Sequence, residues 1–176
     1  MKISVVMPSY LPDYPGASKN RVEKLHRAVE SVIKQTHKDW ELIVVADGCI
    51  RTYHEMKKYS DQRIKTALIN KQKGFGIQRN TGINLAKGEV ISYLDSDDML
   101  APNHLDFINE NMQDFDWIYF NHWELKNNMV VNAKIDINKA YEYGTCNIAH
   151  RDRVYWSSEK YGNDDMIFVN KLKENK

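Results

Sequence analysis

Long apolar runs are missing from this 176-residue sequence. The longest, "LIVVA" at residues 42–46, is far too short to cross a bilayer. A basic run is missing as well, and the formal net charge is +1, so nothing stands ready to release counterions from a nucleic-acid backbone. Cysteine is scarce. Cys49 and Cys146 are the only two, and no C-x-x-C spacing joins them. That argues against a disulfide framework or a zinc site and for reduced thiols in the cytoplasm. No repeat, low-complexity tract or linker interrupts the chain. The opening "MKISVVMPSY" lacks the longer apolar core of a signal peptide and reads as a first strand. What is present, 42% hydrophobic and 28% charged residues, suits a single globular domain over residues 1–176 with a real core.

Strand and helix signals alternate through the first two-thirds. "KISVVMP", "WELIVVA", "IKTALI" and "EVISYL" are continuous apolar runs of strand length. Between them, Val22, Leu25, Val29, Val32 and Ile33 repeat at helical spacing, with Asn20 and Glu23 placed as a capping box. "RTYHEMKKY" reads as a short polar helix, and "GIQRNTGINLAKG" as a helix that Gly88 stops as a C-cap. Pro102 opens a further helix, "PNHLDFINENM". Continuous strands separated by helices predict an α/β fold with a central, mostly parallel sheet flanked by helices on both faces.

In such a sheet the strands end at one edge, and ligands bind outside it. Three polar loops therefore converge: Ser9-Tyr10, Asp47-Gly48, and Asp95-Ser96-Asp97-Asp98. The last is the most informative, because three carboxylates crowd together with no Lys or Arg in the stretch "VISYLDSDDML". A divalent cation is the simplest compensation, and an all-oxygen carboxylate set suits Mg²⁺ or Mn²⁺, whose remaining positions commonly take phosphate oxygens. The competing interpretation is a solvated acidic loop facing a helix N-terminus. Neither an EF-hand nor a dinucleotide loop fits: Leu100 stands where the calcium loop needs glycine, and Arg79 stands where the third glycine of G-x-G-x-x-G belongs.

With these pieces in order, "ISVVMPSY", "LHRAVESVIKQTHKDWELIVVADG" and "KGFGIQRNTGINLAKGEVISYLDSDD", the chain resembles the family 2 glycosyltransferases of the Rossmann-like GT-A fold over about residues 1–110. The resemblance implies a nucleotide-sugar donor, usually a UDP-sugar, a Mn²⁺ or Mg²⁺ ion on a D-x-D motif, and inverting transfer. It implies roles by residue. Ser9 and Tyr10 would lie at the nucleotide, Tyr10 against the base. Asp47 would accept the uracil imide N–H. Arg79 would help bind base or diphosphate. Asp95 would face the ribose and the hydrated metal, Asp97 would ligate the metal directly, and Asp98 would support it. Lys71 and Lys73 are candidates for phosphate contact. "YGNDDMIF" resembles the segment that carries the catalytic base, which leaves Asp164 and Asp165 as candidates.

The sequence departs from the pattern at Ala46, where an acid is common before Asp47, at Cys49, and in a longer loop from Leu11 to Lys19. Residues of about 111–176 form a short acceptor-side part, for a saccharide or lipid-linked saccharide acceptor, and leave room for a peripheral membrane or protein partner. His150, near the acceptor region, is a candidate metal ligand or sugar contact, with a structural role as its ordinary alternative, and Trp156 or Tyr155 is a candidate to stack on a sugar ring, with core packing as the alternative. Two other functions compete: a nucleotide-sugar-binding module with weak or lost transfer, and a sugar-phosphate nucleotidyltransferase. The latter lacks its Gly-rich phosphate loop after strand one, where this chain has "PSYLPDYPG".

Overall fold

Strands β1 (Ile3–Ser9) and β2 (Trp40–Asp47) are buried at every residue, and their side chains alternate between two cores. Ile3, Val5 and Met7 with Leu42 and Val44 face one side, and Val6 with Ile43 and Val45 faces the other. The period of two along a strand makes that division unavoidable once both faces are covered. A computed structural model describes residues 1–15, 17–70, 75–126, 129–139, 145–157 and 164–174. Helix α1 (Arg21–Ile33) covers the first face with Leu25, Ala28, Val29 and Val32. Helix α3 (Phe75–Leu85) covers the second through Ile83. Its approach to β1 is so close that a Cβ on Gly82 would fall 2.2 Å from Val6 Cγ1.

With β3 (Ile64–Ile69), β4 (Val90–Tyr93), β5 (Trp117–Tyr119) and β8 (Ile148–His150), the main sheet runs β3-β2-β1-β4-β8-β5. The first four strands are parallel, and β8 runs antiparallel to both β4 and β5. The chain winds outward from β1 to β3, then returns to β4 on the other side of β1. That reversal is the topological switch point, and it opens a crevice at the carboxyl ends of β1 and β4. Helices α2 (Ile50–Met56) and α4 (His104–Asn111) complete the layers, and a hairpin of β6 (His122–Lys126) and β7 (Met129–Ala133) forms a separate two-stranded sheet. Helix α5 (Asp164–Glu174) buries Phe168, Val169 and Leu172 in the second core.

The expected mostly parallel α/β architecture is therefore present, with three local differences. Asn20 precedes α1 in a left-handed conformation (φ 56°) with no side-chain cap, whereas a capping box needs an extended cap residue. Gly88 is not a left-handed C-cap. Helix α3 ends at Leu85, and a Cβ on Gly88 would meet Ser4 Oγ at 2.7 Å and the Lys2 carbonyl oxygen at 2.8 Å. Glycine is required there for close approach to β1. Pro102 lies in a turn two residues before α4, where its carbonyl accepts from the Thr36 amide at 2.9 Å.

Candidate active site

At one end of the crevice the polar groups are sealed in. Asp47 closes β2 with 1% of its surface open, and its Oδ2 accepts from Gln78 Nε2 at 3.0 Å. Gly48 follows at φ 65° and turns the chain while donating its N–H to the Ile69 carbonyl at 2.9 Å. Only a residue without a Cβ penalty takes that conformation cheaply. Ser9, also buried, shares a hydrogen bond with Thr52 Oγ1 at 3.2 Å. Cys49, the departure noted in the sequence, caps α2 by accepting the Thr52 amide at 3.4 Å. Tyr10 packs half-buried on the first core, and its ring tilts against Tyr14 at 6.3 Å. Arg21 braces that loop, its guanidinium 4.7 Å above the Tyr14 ring and donating to the Pro12 carbonyl at 2.7 Å.

Helix α3 spans the crevice. Its successive residues Gln78 and Arg79 are both buried, one reaching Asp47 and the other the acidic loop. Arg79 places its guanidinium carbon 4.5 Å from the Trp156 ring centroid, and its terminal nitrogen lies 3.7 Å from Asp95 Oδ1. Asn80 holds Trp156 in place from both sides of its amide. It donates to the Trp156 carbonyl at 3.0 Å and accepts the Trp156 N–H at 2.8 Å. The "RN" pair of the sequence thus divides its work: arginine faces the site and asparagine fixes the aromatic wall behind it.

At the other end the loop Asp95–Asp98 is open. The Asp98 amide donates to the Asp95 carbonyl at 3.1 Å, which tightens the turn. The Asp95 amide donates to Cys146 Sγ at 3.2 Å, and that thiol approaches Asp98 Oδ2 at 3.8 Å. Ligand atoms of Asp95, Asp98 and Cys146 all lie within 4.8 Å of one another. Asp97 turns instead toward α1: its Oδ2 accepts from Ser18 Oγ at 3.0 Å, and its carbonyl accepts from Arg27 at 2.9 Å. Of the cations missing from the local sequence, α3 brings Arg79 beside the Asp95 carboxylate, while Arg27 of α1 reaches the Asp97 main-chain carbonyl.

Arg79 relieves the crowded carboxylates only in part. Desolvation raises the Asp95 pKa, with Arg79 opposing and Asp97 reinforcing the shift. Desolvation and then the neighbouring Asp95 and Asp97 charges raise that of Asp98. Cys146 is pushed well up by burial and by the charges of Asp95 and Asp98, which keeps it a thiol. A neutral thiol is a hydrogen-bonding group here and a poor partner for a hard ion. The carboxylate oxygens of Asp95 and Asp98, by contrast, fit a Mg²⁺- or Mn²⁺-like cation by chemistry and by spacing.

The remaining sequence candidates separate clearly. His150 is fully buried, bonded to Tyr93 Oη at 2.7 Å, and burial lowers its pKa to about 4, so it belongs to the core. Trp156 stacks on Phe168 at 3.9 Å and reaches the site only as a wall beside Arg79. Tyr155 is half exposed and donates to Asn84 Oδ1 at 2.7 Å. Asp165 lies half-buried in the first turn of α5. Lys71, Lys73 and the side chain of Asp164 fall outside the described residues. Sequence reasoning missed Gln78, Cys146, Ser18 and Arg27. The only signal for Gln78 was its place beside Arg79, and the other three carry none.

Comparison with known proteins follows the same outline. The family model described as Glycosyl transferase family 2 matches residues 17–116. The Escherichia coli UDP-Glc:alpha-D-GlcNAc-diphosphoundecaprenol beta-1,3-glucosyltransferase WfgD is 32% identical over 145 residues, which is 78% of this chain and 54% of that protein. The chain thus spans about half the length of this relative. Among solved structures, S. aureus TarS in complex with UDP superposes with a TM-score of 0.76 at 21% identity, covering 98% of this chain and 55% of that one. A mannosyltransferase from Pyrobaculum calidifontis in complex with GDP-Man and Mn²⁺ superposes with a TM-score of 0.69 at 14% identity, covering 97% of this chain and 51% of that one. These likenesses mark the architecture as GT-A.

Proposed function

The chain belongs to glycosyl transferase family 2, and from that premise we propose that it moves a sugar from a UDP-sugar to an acceptor hydroxyl in glycan synthesis, with inversion at the anomeric carbon. The observation that carries the proposal is the pairing, across one switch-point crevice, of a buried acceptor group at Asp47 with an open carboxylate loop at Asp95–Asp98. One end suits the imide edge of uracil and the other a cation with the diphosphate. The UDP and UDP-sugar in the names of similar proteins support this choice of donor.

Asp95, Asp97 and Asp98 would hold a divalent cation, Asp97 by exchanging the Ser18 hydroxyl for it. When bound, such an ion supplies Lewis-acid stabilisation to the charge that develops on the leaving diphosphate. Arg79, held between Phe75 and Trp156, directs its positive charge to the same place. Asp47 orients the base, and Ser9 and Tyr10 line the nucleotide end. Asp165, or Asp164 beside it, takes the proton from the acceptor hydroxyl as general base. The oxygen then attacks C1 from the face opposite the diphosphate, the C1–O bond to phosphate breaks, and the leaving group departs with that electron pair. A saccharide, free or lipid-linked, is the acceptor class.

Turnover of a panel of UDP-sugars tests the proposal. Release of UDP should rise when a saccharide acceptor is added, and the product should carry the inverted anomeric configuration. Retained configuration would reject the single-displacement route. UDP-sugar binding with no acceptor-dependent release would favour a binding module that has lost transfer.

A further inference from the structure

We propose that Gln78 is a positioning residue that sets the nucleobase preference by fixing the Asp47 carboxylate; this rests on the assignment of Asp47 to the base. Three observations support it. First, Gln78 is an unusual choice for its position. It is 1% exposed on the buried side of α3, where an apolar residue would pack at lower cost. Second, its amide makes the described hydrogen bond to Asp47, Nε2 donating to Oδ2 at 3.0 Å. Third, its own Oε1 is buried with no hydrogen-bond partner among the described residues. A fully structural glutamine would satisfy both ends of its amide. Orphaned buried acceptors are rare in folded proteins, and they gather where function overrides packing.

The chemistry follows from the direction of the bond. An amide N–H donates, so it can hold a carboxylate in one rotamer without competing for the donor that the carboxylate is to receive from a ligand. Without that N–H, one constraint on the direction of the Asp47 Oδ2 is lost. Held by Gln78, it presents a fixed acceptor to the N3–H of uracil. Cytosine has a lone pair at that position and gains nothing from the same alignment. Gln78 thus acts on the difference between uracil and cytosine, leaving the grip on the diphosphate unchanged. The neighbouring Arg79 points to the other end of the crevice, so one turn of α3 serves base and diphosphate separately.

Affinities for UDP and CDP, each with Mn²⁺, measured on four forms of the protein, test this. In Gln78→Met the shape is kept and the donor is lost. UDP affinity should fall on the order of ten-fold, since the supporting bond is to a charged group. CDP affinity should hardly change, and the melting midpoint should hold because an unmet buried acceptor is removed along with the bond. In Gln78→Glu the shape is again kept but a like charge faces Asp47, and the preference for UDP should vanish. Asp47→Ala is the control for the underlying assignment. If Asp47→Ala retains the native UDP-to-CDP ratio, the assignment of Asp47 itself fails. If Asp47→Ala loses the ratio while Gln78→Met and Gln78→Glu keep it, the role of Gln78 alone is overturned. Equal losses for UDP and CDP, or a lowered melting midpoint with an unchanged ratio, would make Gln78 a packing residue and also overturn it.

Discussion

The two ends of the crevice are finished to different degrees. Around Asp47 the groups are buried and mutually fixed: Gln78 holds the carboxylate, Gly48 closes the turn, and Ser9 and Thr52 share a bond beneath. Around Asp95–Asp98 the carboxylates are partly open; Ser18 holds that of Asp97, Arg79 lies beside that of Asp95, Arg27 holds the loop by the Asp97 main-chain carbonyl, and the pKa values of Asp95 and Asp98 are driven upward. One end is fixed by its own hydrogen bonds before anything binds. The other holds crowded carboxylates that the described cations offset only in part. A crevice of this kind should bind its two ligand ends by different physics, the base through preorganisation and the diphosphate through charge.

The largest expected effect lies beyond both ends and separates them from the chemistry. Asp165→Asn should lower acceptor-dependent UDP release by roughly 10²–10⁴-fold, the usual contribution of a positioned base. UDP affinity should stay close to native, because neither end of the crevice is touched. Unchanged turnover would move the base to Asp164, and Asp164→Asn, assayed beside it, would then show the loss.

The second effect concerns two histidines packed in the fold, His150 on β8 and His104 at the start of α4. His150 is fully buried and His104 partly buried, and desolvation brings each to a pKa of about 4. Both sit below the ordinary histidine value of about 6.5. A depressed folded pKa means that the unfolded chain takes up protons first as pH falls. Stability should therefore be flat above about pH 6.5 and drop as pH falls from there toward 4, by roughly 3 kcal/mol per histidine. Urea midpoints across that range read the slope. Replacing His150 with Gln should remove about half of it, and an unchanged slope would show that the histidine is not held neutral.

Smaller effects sharpen the contrast at the sealed end. Asp47→Ala should weaken UDP by about 1.5–3 kcal/mol, roughly ten-fold or more, through loss of a charge-assisted hydrogen bond. CDP binding equal to UDP binding in the native protein would reduce Asp47 to a turn residue. Gly82→Ala should cost about 1–3 kcal/mol of stability by pushing α3 off β1, since the added Cβ would sit 2.2 Å from Val6 Cγ1. The shift should also loosen UDP slightly, because Gln78 and Arg79 ride on that helix. Thermal melts with and without UDP separate the two consequences.

The sequence revealed the strands that reach the crevice and the loops that end there, because buried parallel strands leave continuous apolar runs. It located Asp47 and the acidic loop for the same reason, since each follows directly on such a run, whereas Arg79 lies inside helix α3 and was singled out only through the family resemblance. It misplaced the helix caps at Asn20 and Gly88, where backbone conformation and a neighbour's approach decide, and neither is local. Gln78 and Cys146 were invisible as partners of Asp47 and Asp95. Those contacts join residues 31 and 51 positions apart, which no local pattern records. His150 and Trp156 read as acceptor contacts only while their burial was unknown.

The difference between the two ends rests most directly on the cation. Calorimetric titration of UDP into the native protein, with Mn²⁺ and then with excess chelator, measures it. The account predicts clear binding with Mn²⁺, loss of most affinity under chelation, and a loss of the same size in Asp97→Asn even when Mn²⁺ is present. UDP affinity that chelation leaves unchanged would contradict it, and the acidic loop would then be a solvated turn.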